Sequence, residues 1–194
     1  MDLIRWIRGQ HRGVRNFFEV SVYSVLSPEQ LRQRPGGVGN SVAWLMWHLA
    51  RTEDAIVNSI IRGEGQVLLA DGWIDKLGVD VTNIGTGLGD DEVEAISAKM
   101  DVDACNEYWM TVAGQTSEWL KTIEPAALDE VPDMQARLAT IPAMIAGSDN
   151  TTATSFWSGR TAGFLLGGTV ISHGYIHVGE MNSIRGRIGV SGWV

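Results

Sequence analysis

The amino-acid sequence predicts an all-α protein, a four-helix bundle with two long irregular connections. Three observations carry that expectation. Apolar residues recur at intervals of three, four and seven in four separate stretches, which places them on single helical faces. No alternating run bounded by turn residues reads as a hairpin, and no strand–helix–strand unit is evident. Two segments rich in Gly, Asp, Pro and Ser, residues 63–89 and 124–160, separate the second helix from the third and the third from the fourth. Connections of that length either cross over a bundle or cover one of its ends.

The first helix is expected from Leu3 to Leu26, with Leu3, Ile7, Val14, Phe18, Val22 and Val25 on its apolar face and Ser27-Pro28 as its stop, because proline restricts the residue before it and donates no hydrogen bond. Asn40 or Ser41 caps the second helix, which runs to about Arg62 with Gly63 as its C-terminal stop. The connection that follows holds scattered apolar anchors, Trp73 foremost, and reads as an ordered binding loop or lid. Asp90 or Asp91 starts a short helix through Val93 and Ile96. A longer one runs from about Asp101 to Ile123, where Pro125 closes it. The last helix spans about Thr161 to Arg187, and seven glycines between Gly163 and Gly189 suggest a bend or close backbone approach there.

Composition narrows the function. The chain has 194 residues, 15 Lys+Arg against 23 Asp+Glu and a formal net charge of -8, which argues against a nucleic acid or an anionic membrane surface as partner. One domain over residues 1–194 is expected at this length. A single cysteine, Cys105, excludes a disulfide framework or a multi-Cys zinc module and is expected to be buried as a small apolar residue. The first residues mix charged with apolar side chains, unlike a signal peptide, and no stretch has the apolar length of a spanning helix. The expectation is therefore a cytoplasmic protein.

Four histidines remain to be placed. His173 and His177 stand four apart on one face of the last helix, so their imidazoles can reach a single ion. On the second helix His48 lies beside the main apolar line, with the small residues Ser41, Thr52, Ala55 and Ser59 one to three turns away. That stripe leaves room for an ion and part of a substrate. The alternative is a partly buried histidine bonded to a neighbouring hydroxyl or carbonyl. Three neutral imidazoles with an open fourth position describe a catalytic rather than a structural divalent site. Glu180, three residues past His177, is a candidate fourth ligand, general base or partner orienting a histidine, or else a carboxylate paired with Arg185. His11, among Arg8, Arg12 and Arg15, is expected to be solvated and to take no part. Trp44, Trp73 and Arg160 are candidate substrate-pocket residues: the tryptophans as walls or as packing, the arginine as an anion anchor or an exposed partner of an aspartate. The glycines of Gly85-Thr86-Gly87-Leu88-Gly89 only superficially suggest a phosphate-cradling loop, since no strand precedes them and no Lys follows.

Two motifs carry a family resemblance. The segment Gly39 to Ala50, ending in His48-Leu49-Ala50, and the segment His173-Gly174-Tyr175-Ile176-His177-Val178-Gly179-Glu180-Met181 with Ile184-Arg185-Gly186 resemble the DinB-like (DinB/YfiT-like) superfamily in order and separation. The resemblance implies an up-down-down-up four-helix bundle whose His48, His173 and His177 bind a divalent metal ion, commonly zinc or nickel. It departs at Glu180, where the family pattern implies Gln. By the same resemblance the function expected is that of a metal-dependent transferase or isomerase using a low-molecular-weight thiol such as bacillithiol or mycothiol as cosubstrate. Hydrolysis with Glu180 as general base and a non-enzymatic metal-binding stress or interaction protein are the alternatives. A small-molecule substrate and a homodimer are the partners expected.

Overall fold

The computed structural model describes residues 2–191, and among these every regular element is a helix. Four long helices hold the site. The first is Leu3–Ser21, capped by the Asp2 carboxylate on the Arg5 amide. It ends five residues before the expected stop. The Ser21 carbonyl is taken by the guanidinium of buried Arg185, and its hydroxyl accepts from Asn182 at 2.9 Å. Ser27-Pro28 instead opens a short helix, Pro28–Arg32, with a full capping box to Gln30. Arg185 is thereby committed to Ser21, not to Glu180.

The second long helix begins at Val42 with Ser41 Oγ accepting from the Trp44 amide and ends at Gly63 in the left-handed conformation. It is α-helical over Val42–Glu53 and π-helical over Asp54–Arg62. All residues from Val42 to Ile60 are buried, so this is the helix around which the others pack. The third, Val102–Trp119, and the fourth both pack on it. The fourth starts as Ala162–Phe164, widens to a π-helix over Leu165–Ser172 and continues as His173–Arg187. A Cβ on Gly174 would come within 2.8 Å of the Val14 side chain, so Gly174 serves close approach to the first helix, whereas Gly167, Gly179 and Gly186 face open space.

The two irregular connections are ordered and contain short helices at Trp73–Leu77, Met134–Leu138 and Thr151–Trp157. They also pair with each other, Ile84 N donating to Met144 O at 2.8 Å and Ala146 N to Thr86 O at 2.9 Å. Gly85 between them has φ +88, and a Cβ there would fall 2.7 Å from the Trp47 ring. Gly85 therefore seats the loop on Trp44 and Trp47 of the central helix, and Gly87, at φ +90, lies against Ala146 of the other connection.

Buried charges anchor the first connection. Asp54 accepts from the amides of Val67 and Leu68 at 2.9 and 3.0 Å and from Tyr108 Oη at 2.6 Å. Arg51 donates to Asp54, Tyr108, Gln66 and the Thr82 carbonyl. The loop leaving Thr82 then delivers the Ile84 carbonyl to His48.

His11 departs from the sequence expectation. It is buried, and its Nε2 bonds Glu53 Oε1 at 2.7 Å. Burial alone would lower its pKa, but the charge and hydrogen bond of Glu53 outweigh that and raise it above 6.5. Burial opposes the Glu53 charge, yet His11 and the surrounding donors hold its pKa below 4.5. The His11 contribution to stability is complete below pH 6.5 and is lost as pH rises through its raised folded value. That of Glu53 is present above pH 4.5 and is lost as pH falls through its lowered folded value. His11→Gln should destabilise by about 3 kcal/mol, since it strands a buried carboxylate. Urea unfolding of both proteins across pH should show the widest gap between pH 4.5 and 6.5, narrowing in mildly alkaline buffer.

Candidate metal centre

Three imidazoles converge between the second and fourth helices. His173 Nε2 lies 2.9 Å from His177 Nε2 and 3.3 Å from His48 Nε2, and ligand atoms of the three are all within 4.8 Å of one another. Ligand nitrogens of a tetrahedral ion with Zn–N of about 2.05 Å stand about 3.3 Å apart. The spacing fits.

The hydrogen bonds on the far side of the rings set what the near side offers. His48 Nδ1 bonds the Ile84 carbonyl, which can only accept, so Nδ1 carries the proton and Nε2 presents a lone pair. His177 Nδ1 donates to Glu180 Oε2 at 2.7 Å, with the same consequence. His173 Nδ1 is buried without an aligned partner, facing the Thr169 carbonyl one turn back. An Nε2 proton on His173 could satisfy one of the other two lone pairs but not both. A cation satisfies all three.

Electrostatics favour the neutral rings that such ligation needs. Burial first, then the other histidines, push His48 down to about 3 and His173 down to about 4. Glu180 is held below the usual carboxylate range chiefly by its hydrogen bond from His177, aided by Asn40 Nδ2, which donates to Oε1 at 2.9 Å. Both carboxylate oxygens are therefore engaged.

The remaining candidates have separate fates. Trp44 stacks on His48, ring centroids 4.9 Å apart and planes 9° apart, and so backs a ligand. Trp73 packs on Tyr108 in the core at 5.5 Å and does not line the cavity beside the histidines. Arg160 lies 4.6 Å over the Phe164 ring and has no carboxylate partner among the described residues. That cavity, about 410 Å³, is lined by His48, His173, Thr52, Trp157, Phe164 and Ile176, among others. Sequence reasoning had no means of finding Ile84, which acts through its main chain, or Asn40, which sits 140 residues from Glu180. Trp157, four residues before the helix cap Thr161, joins the cavity wall from the second connection.

Comparison with known proteins adds the wider context. Residues 20–181 match the family described as the DinB superfamily. A solved structure described as a conserved protein from Enterococcus faecalis superimposes with a TM-score of 0.70 at 18% identity, over 97% of this chain and 98% of that one. At that identity the likeness is one of fold. No curated protein matches the chain.

Proposed function

This chain belongs to the DinB superfamily, and from that premise we propose that it is a metal-dependent enzyme that transfers or isomerises with a low-molecular-weight thiol. The observation that supports the reading is the set of three Nε2 lone pairs beside a cavity large enough for an organic substrate. His48, His173 and His177 would hold zinc or nickel, since imidazole donors suit both. When bound, such an ion supplies the positive charge that lowers the pKa of a thiol in the open position.

The chain's own residues do the rest. Ile84 O and Glu180 fix the tautomers of His48 and His177, and Trp44 holds the plane of the His48 ring. Glu180, with one oxygen on His177 and the other on Asn40, is better suited to orient a ligand than to accept a proton from water. As the thiol sulfur forms its bond to an electrophilic carbon, that carbon's bond to its leaving group breaks, chloride in the case of a chloronitrobenzene, and the leaving anion and the thiol proton both pass to solvent, so no cysteine of the protein is required. Cys105 is fully buried in the core, and burial pushes its thiol up to about 12.

Cobalt-substituted protein tests this directly. Adding a thiol should produce a near-ultraviolet thiolate-to-cobalt absorption band, and conjugation to a chloronitrobenzene should require the loaded protein. Protein that takes up metal but shows no band with any thiol would sink the proposal.

A further inference from the structure

The cavity beside the histidines has walls of two kinds. Toward solvent it is bounded by Trp157, by Phe164 at 49% exposure and by Ile176 at 68% exposure. What distinguishes these from other exposed apolar side chains of the protein is that they adjoin one another around one cavity. Deeper in stands Thr52, one turn after His48 on the central helix and 2% exposed, whose hydroxyl has no hydrogen-bond partner. Buried hydroxyls are nearly always bonded. Threonine has two accessible rotamers in a helix, so a turn about its Cα–Cβ bond exchanges methyl for hydroxyl on the cavity wall. Besides the histidines, the polar side chains of the lining are Thr52, Thr86 and Thr169, with no acidic residue, lysine or arginine among the lining residues, and Arg160 lies against the Phe164 ring, so what the cavity itself offers the body of a ligand is chiefly the apolar wall of Trp157, Phe164 and Ile176.

We propose that this cavity selects a ligand with an apolar, ring-sized body and one small metal-binding head. The body lies between Trp157, Phe164 and Ile176, and the head takes the open position at the histidine-held ion while accepting a hydrogen bond from Thr52 Oγ1. Thr52 is thus a specificity-determining residue, and the selected class is aryl or branched-alkyl compounds. The inference rests on the metal-and-thiol reading above.

Benzyl mercaptan and 2-mercaptoethanol, thiols of similar acidity and different body, separate the two ideas. Each is titrated into cobalt-substituted protein and followed by the cobalt absorption bands. Benzyl mercaptan should bind at least about tenfold tighter, as expected for burying several apolar carbons. Phe164→Ser and Trp157→Ala should erase most of that preference while cobalt content, read by elemental analysis, stays at one equivalent. Thr52→Val, which keeps the shape and removes the hydroxyl, should weaken both thiols by several-fold and leave the preference intact. Equal binding of the two thiols, or no effect of Phe164→Ser and Trp157→Ala, overturns the inference while the functional reading stands. Thr52→Val binding like the parent removes Thr52 from it. Failure of cobalt to load, or loading with no response to either thiol, overturns both.

Discussion

His173→Ala is expected to abolish stoichiometric metal binding. His173 is the central member of the trio, within 3.3 Å of both partners through the same nitrogen. Removing it leaves two imidazoles from two different helices, and a site with two ligands and a larger void does not exclude water from the ion. Protein–metal binding energies of order 10 kcal/mol or more, divided over three or four ligands, put the loss at roughly 4 kcal/mol, about a thousandfold in affinity. Elemental analysis after gel filtration should fall from about one equivalent of metal to none. The fold should persist by circular dichroism, because the His173 side chain borders the cavity and the helix around it is held by Gly174 on Val14 and by buried Val178 and Met181. Glu180→Gln provides a graded control. It acts through His177, so affinity should drop by only about ten- to a hundredfold, measured by competition with a chelator. Retention of one equivalent of metal in His173→Ala would rule out the three-histidine centre.

Asp54→Ala should produce a large stability loss. Asp54 is fully buried and receives two amides of the first connection, the Tyr108 hydroxyl, Asn58 and the Arg51 guanidinium. Its removal strands the Arg51 charge, which is 1% exposed, at a cost of about 3 to 5 kcal/mol. Denaturant unfolding measures the loss. The pairing also makes a second, more specific expectation: Arg51→Met with Asp54→Leu should recover only the part of the loss due to the stranded charge, because the Val67 and Leu68 amides and the Tyr108 hydroxyl stay without their acceptor. Amide exchange across residues 66–84 should quicken in Asp54→Ala, since Val67 and Leu68 lose their acceptor. The metal site should loosen in turn, as Thr82 and Ile84 lie on the same stretch.

Much of the bundle was legible because helical periodicity and capping are local. Ser41, Gly63 and Asp101 stand where the sequence places the ends of helices, and the last helix ends at Arg187 as expected. The third helix stops at Trp119, short of the expected Ile123, and Pro125 opens a 3-10 turn over Pro125–Asp129. The first helix ends early for a reason no local window contains, a guanidinium from Arg185, 164 residues away, on the Ser21 carbonyl. The short helices inside the two connections were missed because each is too short for a period to be read against its polar surroundings. His11 was misplaced for a related reason. Its arginine-rich neighbourhood suggested a solvated surface, whereas the helix turns Arg12 outward and His11 inward onto Glu53, 42 residues on.

The candidate site divides along the same line. Spacing alone put His173 and His177 on one face and singled out His48 by its small neighbours, since side-chain direction in a helix follows from sequence position. Sequence could not say which nitrogen of each ring is free, because the partners that decide it are the Ile84 carbonyl and Glu180 as positioned by Asn40. Nor could it separate Trp44, which backs His48, from Trp73, which fills the core. Composition and periodicity are properties of the chain and survive without a fold. Tautomer, cavity and buried charge depend on groups brought together from distant positions, and only packing into the tertiary structure decides them.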